Sequence, residues 1–325
     1  MFTFFTPSLP LERGVRVSEK QQQLTSPYFS IILPTYNRAH MLPRAIQSVI
    51  EQSFRDFELI IMDDGSTDNT AGVVNEINDS RIRYHFQENT ERSIARNRGI
   101  DLASGKYICF LDSDDYYLPS HLESFYRSIK EKGEPIAFFY CRLFTETSEI
   151  LALPEEIDYP YNTAIEYVVQ NIIGPPQVCI HAGILRNYKF HPMLNMGEDL
   201  HLWMRILLNY PLIGVNDRNL IVCLHEGRTV NILQKNIYKY NLSSFRMAIR
   251  DRKIKKSISR KIRRTFITEC YLGMGKYHLF HKNKAATVLM ILISLYYRPM
   301  YQLKFKINII YCVLFNFSVA LKIAK

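Results

Sequence analysis

Three carboxylates crowd into four positions at Asp112-Ser-Asp114-Asp115, directly after the apolar run Tyr107-Ile-Cys-Phe-Leu111. Acidic side chains this close repel one another unless a cation lies between them. Oxygen-only donors suit Mg2+ or Mn2+ rather than zinc or copper. A plainer reading is a loop whose aspartates cap the next helix, a job that Asp115 can do alone. Two further acidic pairs stand at similar places. Asp63-Asp64 closes the run Phe57-Glu-Leu-Ile-Ile-Met62 and turns at Gly65. Glu198-Asp199 follows Gly197 and precedes an apolar stripe of Leu200, Trp203, Ile206 and Leu207. Carboxylates at a helix start suit its dipole, so capping alone accounts for the last pair.

These groups need elements to hold them. Continuous apolar runs read as strands buried on both faces, as in a parallel sheet. They are expected at 29–34, 57–63, 81–86 and 106–111, alternating with helices that carry Leu42, Ile46 and Val49, then Val73, Val74 and Ile77 behind an Asp68 N-cap, then 93–103. Pro34 marks the first strand as reaching its edge. Strand alternating with helix four times indicates an α/β fold with a mostly parallel sheet. Charged groups at the carboxyl ends of such strands gather in the crevice where these sheets bind ligands. Further on, 118–132 reads as a helix, 136–144 as a strand, and 220–225 as the last strand. There is no GxGxxG, and Gly99 to Gly105-Lys106 is one residue too long for a phosphate loop, with Tyr107 in place of Ser/Thr. That argues against a kinase, a P-loop NTPase or a dinucleotide dehydrogenase.

The chain of 325 residues suits one large domain with an appendage. Its net charge of +10 is unevenly spread: residues 1–234 hold 21 Lys+Arg against 29 Asp+Glu, and residues 235–325 hold 20 against 2. A boundary near 230 follows, giving a leader at 1–27, a catalytic unit at 28–232 and a basic helical region at 233–325. Phe2 to Phe5 is too short an apolar run for a signal peptide. The six cysteines lack a CxxC pair and read as reduced core thiols of a cytosolic protein.

Taken together the pieces resemble the inverting family 2 glycosyltransferases, whose catalytic domain has the GT-A (Rossmann-like) fold. The matching segments, over roughly 28–230, are Ile31-Ile-Leu-Pro-Thr35-Tyr36-Asn37, Ile61-Met-Asp63-Asp64-Gly65-Ser66-Thr67-Asp68, Ala95-Arg96-Asn97-Arg-Gly99, Phe110-Leu-Asp112-Ser-Asp114-Asp115 and Gly197-Glu198-Asp199. One departure stands out: where such proteins often carry a glycine, Asn89 is followed by Thr90-Glu91-Arg92. The resemblance implies that Thr35 and Tyr36 flank the nucleoside and that Asp64 accepts a hydrogen bond from the base, most naturally uracil N3–H. It implies that Arg96 helps hold the nucleotide, that Asp112 lies near the ribose, that Asp114 of the DXD motif carries Mn2+ or Mg2+, and that Asp199 is the base. A nucleotide-sugar, a UDP-sugar first, is then the donor, and a glycan or lipid-linked hydroxyl the acceptor. His225 and Arg228 could reach the diphosphate, whereas His181 reads as structural or acceptor-facing.

From 235 to 284 Lys and Arg are dense, and the apolar runs 285–297 and 307–321 follow. Both are shorter than a spanning helix. Apolar faces flanked by cations fit an anionic membrane surface at the inner face of the cell membrane. A helical appendage packed on the domain and a homodimer surface are the plainer readings. Nucleic acid is not expected as a partner, since no nucleic-acid motif accompanies the basic clusters. Competing functions are an inactive nucleotide-binding scaffold of the same fold, a nucleotidyltransferase, and a nucleic-acid binder acting through the tail.

Overall fold

A computed structural model of the chain describes residues 26–145, 163–171, 173–225 and 236–315. Most of the expected leader, Arg228 and the expected boundary near 230 lie outside these residues.

β1 (Phe29–Thr35) and β2 (Phe57–Asp63) are buried at every position. Their alternate residues feed two different cores. Ile31, Leu33, Leu59 and Ile61 pack with α1 (Leu42–Ile50), and Ile32, Ile60 and Met62 pack with α3 (Arg92–Leu102). A strand apolar on both faces with helices on either side is the geometry of a parallel α/β layer. α2 (Thr70–Asn75), β3 (Ile82–Phe86), β4 (Tyr107–Phe110), β5 (Tyr116–Tyr117) and α4 (His121–Glu131) follow. Then come β6 (Phe138–Thr145), α5 (Ala164–Gln170), β7 (Val178–His181), α6 (Ala182–Asn187), α7 (Glu198–Ile206) and β8 (Leu212–Val222).

The sheet order is β3-β2-β1-β4-β7-β6-β8-β5. The first four strands are parallel, and β7 then enters antiparallel to β4 and β6. The chain moves outward from β1 to β3 and returns through α3 to β4 on the other side of β1. That reversal opens the crevice at the carboxyl ends of β1 and β4.

Three expectations are corrected. Pro34 sits in an interior strand, not at an edge. Ile32 C=O accepts from Leu111 N–H (3.0 Å) and Thr35 C=O from Asp64 N–H (2.9 Å), so Pro34 faces the side where β4 has already ended. The missing N–H leaves no ladder bond unmade. Asp68 is not the N-cap of α2. That position is Asn69, and Asp68 Oδ1 accepts from Thr70 N–H (3.1 Å) one residue further in. The last strand begins at Leu212, eight residues before the expected start.

The basic region is helical: α8 (Ile237–Ala248), α9 (Arg252–Lys256), α10 (Arg260–Phe280), α11 (Lys284–Tyr297) and α12 (Leu303–Phe315). Leu242, Phe245, Ile254 and Phe266 of this region share one core with Trp203 of α7. α10 to α12 also enclose a small cluster around Ile291 and Ile309. Cys109, Cys141, Cys179, Cys223 and Cys270 are free buried thiols.

Candidate active site

The carboxyl ends of β1, β2 and β4 open into a cleft of ≈ 1590 Å3. Thr35, Tyr36, Asp64, Arg96, Asp112 and Asp114 all line it. Tyr36 presents a half-exposed ring, and Thr35 Oγ1 is buried without a hydrogen-bond partner. An orphaned polar atom at the wall of a cleft is a place for a ligand to complete.

The two aspartates of β2 divide their work. Asp63 is structural: Oδ1 accepts from Ser66 N–H (2.8 Å) and Oδ2 from Tyr84 O–H (2.6 Å). Asp64 is buried and turned to the cleft, with Oδ1 accepting from Gln87 Nε2 (2.6 Å) and Thr90 N–H (3.0 Å). Gly65 at φ 84° makes the turn. A Cβ there would stand 2.7 Å from Asn89 N, so only glycine fits. The neighbouring loop is laced to it by Asn37, whose Oδ1 accepts from Thr67 N–H (2.7 Å).

After β4 the three aspartates separate. Asp115 is buried and accepts from Cys223 N–H (3.0 Å) at the end of β8; it does not cap the next helix, whose N-cap is Ser120. Asp114 Oδ2 lies 2.9 Å from His225 Nε2, just past the end of β8. Asp112 accepts from Arg96 Nη2 (2.7 Å) and keeps part of its carboxylate open. Ligand atoms of Asp112, Asp114 and Asp115 lie within 4.8 Å of one another. Two carboxylates facing the cleft, one steadied by an imidazole, fit a hard divalent cation such as Mg2+ or Mn2+.

Arg96 is buried and bridges two segments, donating Nη2 to Asp112 and Nη1 to Glu198 (2.9 Å). Burial opposes its charge, but Asp112 and then Glu198 outweigh that and raise its pKa. Its two forked nitrogens are taken up by carboxylates, so it acts as a tie across the cleft wall.

Asp199 takes its place in the first turn of α7, half-buried, with Oδ1 accepting from Leu200 N–H (2.7 Å). Burial first, then Glu198, push its carboxyl up to about 7, against the pull of Arg96 and Arg92. Asp199 does not itself line the cleft, whereas Arg92, Asn195 and Met196 beside it do. Its turn depends on Gly197 at φ 73°, where a Cβ would meet Ser244 Oγ at 2.8 Å. Ser244 on α8 donates to Met196 C=O (3.2 Å), so the basic region braces the turn that carries Asp199.

Three features escaped the sequence reading. The His225–Asp114 pair follows from where β8 ends, which no local pattern reveals. The brace from Ser244 depends on packing 48 residues away. Glu91, in the loop that lacks the usual glycine, holds φ 83° and ψ 148°, a backbone region that side chains other than glycine's avoid. His181 caps α6, accepting from Gly183 N–H through Nδ1 (3.1 Å), which agrees with the structural reading.

The sequence model described as glycosyl transferase family 2 matches residues 30–188. An Escherichia coli protein named UDP-Glc:alpha-D-GlcNAc-diphosphoundecaprenol beta-1,3-glucosyltransferase WfgD is 31% identical over 191 residues, 58% of this chain and 72% of that one. Several other curated relatives are longer, and the chain spans about two fifths of their length. The S. aureus TarS 1–349 structure in complex with UDP-GlcNAc superposes with TM-score 0.56 at 17% identity, covering 82% of this chain and 91% of that chain. The mannosyltransferase PcManGT from Pyrobaculum calidifontis, in complex with GDP-Man and Mn2+, gives TM-score 0.56 at 17% identity over 90% of this chain and 88% of that one.

Proposed function

The chain belongs to glycosyl transferase family 2 and has its GT-A fold, and from that premise we propose that it moves a sugar from a nucleoside-diphosphate sugar, a UDP-sugar first, to a hydroxyl of a glycan or lipid-linked acceptor in surface polysaccharide or glycolipid synthesis. One observation carries the reading. Acidic groups from two distant segments, Asp64 and Asp112-Asp114, line one cleft, and Arg96 ties Asp112 to Glu198, the neighbour of Asp199.

Each group has work suited to its surroundings. Tyr36 offers a ring face to the base. Asp64, anchored through one oxygen, keeps the other for a base N–H. Asp112 and Asp114 are the residues that would hold Mg2+ or Mn2+, with His225 orienting Asp114. A divalent ion held there supplies Lewis-acid stabilisation of the charge on the departing diphosphate. Asp199, with its carboxyl near 7, is suited to take the proton of the acceptor hydroxyl near neutral pH. Attack from the side opposite the leaving group, in one displacement, inverts the anomeric carbon.

The same reading includes an anionic membrane surface as the working location. α11 buries Thr287, Ile291 and Ser294 on one face and leaves Leu289, Leu292 and Tyr296 exposed on another. Among the described residues no helix is long and apolar enough to cross a membrane. Such a face, on a region rich in Lys and Arg, fits the headgroup boundary.

Incubating the full chain with radiolabelled UDP-glucose or UDP-GlcNAc and Mn2+ tests the proposal. Expected is release of UDP that stops with EDTA and with Asp114→Asn. Absence of metal-dependent turnover with every common sugar nucleotide, together with nucleotide binding indifferent to Asp114→Asn, would instead favour an inactive scaffold.

A further inference from the structure

The acidic groups of the cleft and one set of its basic groups come from different elements. At one end stand Asp64, Asp112 and Asp114. The other end is built by the C-terminal helices, with Lys239, Arg246 and Arg250 from α8 or the turn after it and Tyr271 and Tyr277 from α10. Lys239, Ser243, Arg246 and Arg250 succeed one another at helical spacing and all line the same cleft, so the three cations form one stripe facing it. All three are exposed.

Their partners set them apart from Arg92 and Arg96 of the same cleft. Arg92 and Arg96 pair with Glu198, and Arg96 also with Asp112. Among the described residues, no salt bridge engages Lys239, Arg246 or Arg250. Arg246 is held in place instead by a neutral group, donating Nη2 to the hydroxyl of Tyr271 (2.8 Å) with its guanidinium over that ring. A guanidinium oriented by a phenol keeps its full charge and its remaining N–H groups for an anion. The acidic end needs a cation to accept a diphosphate, but this end needs none.

Apolar surface adjoins the stripe. Met274 on α10 and Met290 on α11 line the same end of the cleft. Met290 follows Leu289 on the helix whose outer face is apolar. A ligand with an anionic head against α8 and an apolar tail leaving along α11 would match this order of surfaces.

We propose that Lys239, Arg246 and Arg250 form a second, metal-free anion subsite that grips the diphosphate of a lipid-linked acceptor, with its apolar tail leaving past Met290. The inference rests on the transferase reading of the same cleft and adds the acceptor's chemical class and its contacts. The acceptor head is then held at one end while the donor diphosphate occupies the other.

Farnesyl diphosphate, farnesol and UDP serve as probes, titrated into the full chain by calorimetry. Farnesyl diphosphate is measured with EDTA and saturating UDP present, so that the donor end is filled. Expected is binding of farnesyl diphosphate that weakens at least tenfold in the double variant Lys239→Gln/Arg250→Gln and stays unchanged in Lys255→Gln/Lys256→Gln, which removes exposed cations away from the cleft. Farnesol should not distinguish the variants, and UDP affinity with Mn2+ should stay within twofold, which also reports that the variant is folded. Farnesyl diphosphate binding that is absent, or equal in both double variants, overturns the subsite while leaving the transferase reading intact. Loss of UDP affinity in Lys239→Gln/Arg250→Gln overturns it too, since the cations would then serve the donor. Failure of the transferase reading shows separately, as UDP binding indifferent to Mn2+ and to Asp114→Asn.

Discussion

Arg96 Nη1 lies 2.9 Å from Glu198 Oε1, joining α3 to the first turn of α7 across 102 residues of chain. Both side chains are almost fully enclosed, at 3% and 6% exposure. Removing Arg96 leaves buried Glu198 only the longer contact to Arg92 (3.4 Å), a loss that costs up to about 3 to 5 kcal/mol. Arg96→Leu should therefore unfold at a markedly lower urea concentration, and adding Glu198→Leu should restore part of the loss. Equal stability of Arg96→Leu and the parent chain would mean that the pair is not closed in solution.

Asp199 carries the second prediction. Its carboxyl is raised by burial first and Glu198 next to about 7, against an ordinary value of about 3.9. For a group raised in the folded state, the stabilisation is complete below the unfolded value and is lost as pH climbs through the folded one. Asp199→Asn should thus match the parent in stability near pH 4 and exceed it at pH 8, by roughly 1 to 4 kcal/mol at one pH unit per 1.36 kcal/mol. Transfer should fall on the order of 100- to 10,000-fold in the same variant. In the parent it should rise with pH to a plateau above about 7. Urea melts at the two pH values and a pH–rate profile read both halves. A variant no more stable at pH 8 than at pH 4, relative to the parent, would remove the raised carboxyl from the account.

Much of this was legible because it is local. Seven-residue apolar strands announce themselves, and Asp64, Asp112 and Asp114 follow directly from where β2 and β4 stop. What stayed hidden depends on packing between distant segments. β8 begins at Leu212 in a mixed run of Gly, Asn, Asp and Arg that lacks strand patterning, because pairing with β6 on one side supplies what propensity does not. The entry of β7 antiparallel between β4 and β6 is likewise set by the sheet and not by its own four residues. The packing of Phe245 and Phe266 into the core around Trp203 is also something that the charge step near 230 does not announce.

Glu91 supplies a prediction about the loop that departs from the family pattern. Its φ of 83° with ψ 148° costs a side-chain-bearing residue about 1 to 3 kcal/mol. Glycine removes that cost but adds freedom to the unfolded chain, worth about 0.5 to 1 kcal/mol the other way. Glu91→Gly should be more stable by roughly 1 kcal/mol on balance, and Glu91→Ala should gain nothing. A gain from alanine equal to that from glycine would assign the effect to the lost charge and not to the backbone.

Asp64 offers a test of base recognition that does not need turnover. With Oδ1 committed to Gln87 and Thr90, the acceptor left for a uracil N3–H is Oδ2. N3-methyl-UDP lacks that hydrogen and should bind the parent chain about 10- to 100-fold more weakly than UDP, the loss expected for an unpaired buried acceptor. Asp64→Asn should bind UDP weakly and discriminate little between the two nucleotides. Undiminished preference for UDP in that variant would move base recognition elsewhere.

The outward face of α11 gives the last prediction, and its sign follows from the apolar residues that face exposes. A helix packed on a protein in water turns its apolar residues inward. Here Thr287, Ile291 and Ser294 face in at 0% exposure, yet Leu289 and Leu292 face out at 53% and Tyr296 at 78%. Burying two half-exposed leucines in a lipid headgroup boundary is worth about 2 to 3 kcal/mol, a partition change of roughly 30- to 160-fold. The full chain should therefore co-sediment with phosphatidylglycerol vesicles, and Leu289→Asp/Leu292→Asp should abolish this. Because both side chains already face solvent, the unfolding free energy from urea melts should change by no more than about 0.5 kcal/mol per site. A large loss of stability in that variant would show that the face is covered by the chain itself, and vesicle binding that survives it would place the lipid contact on another surface.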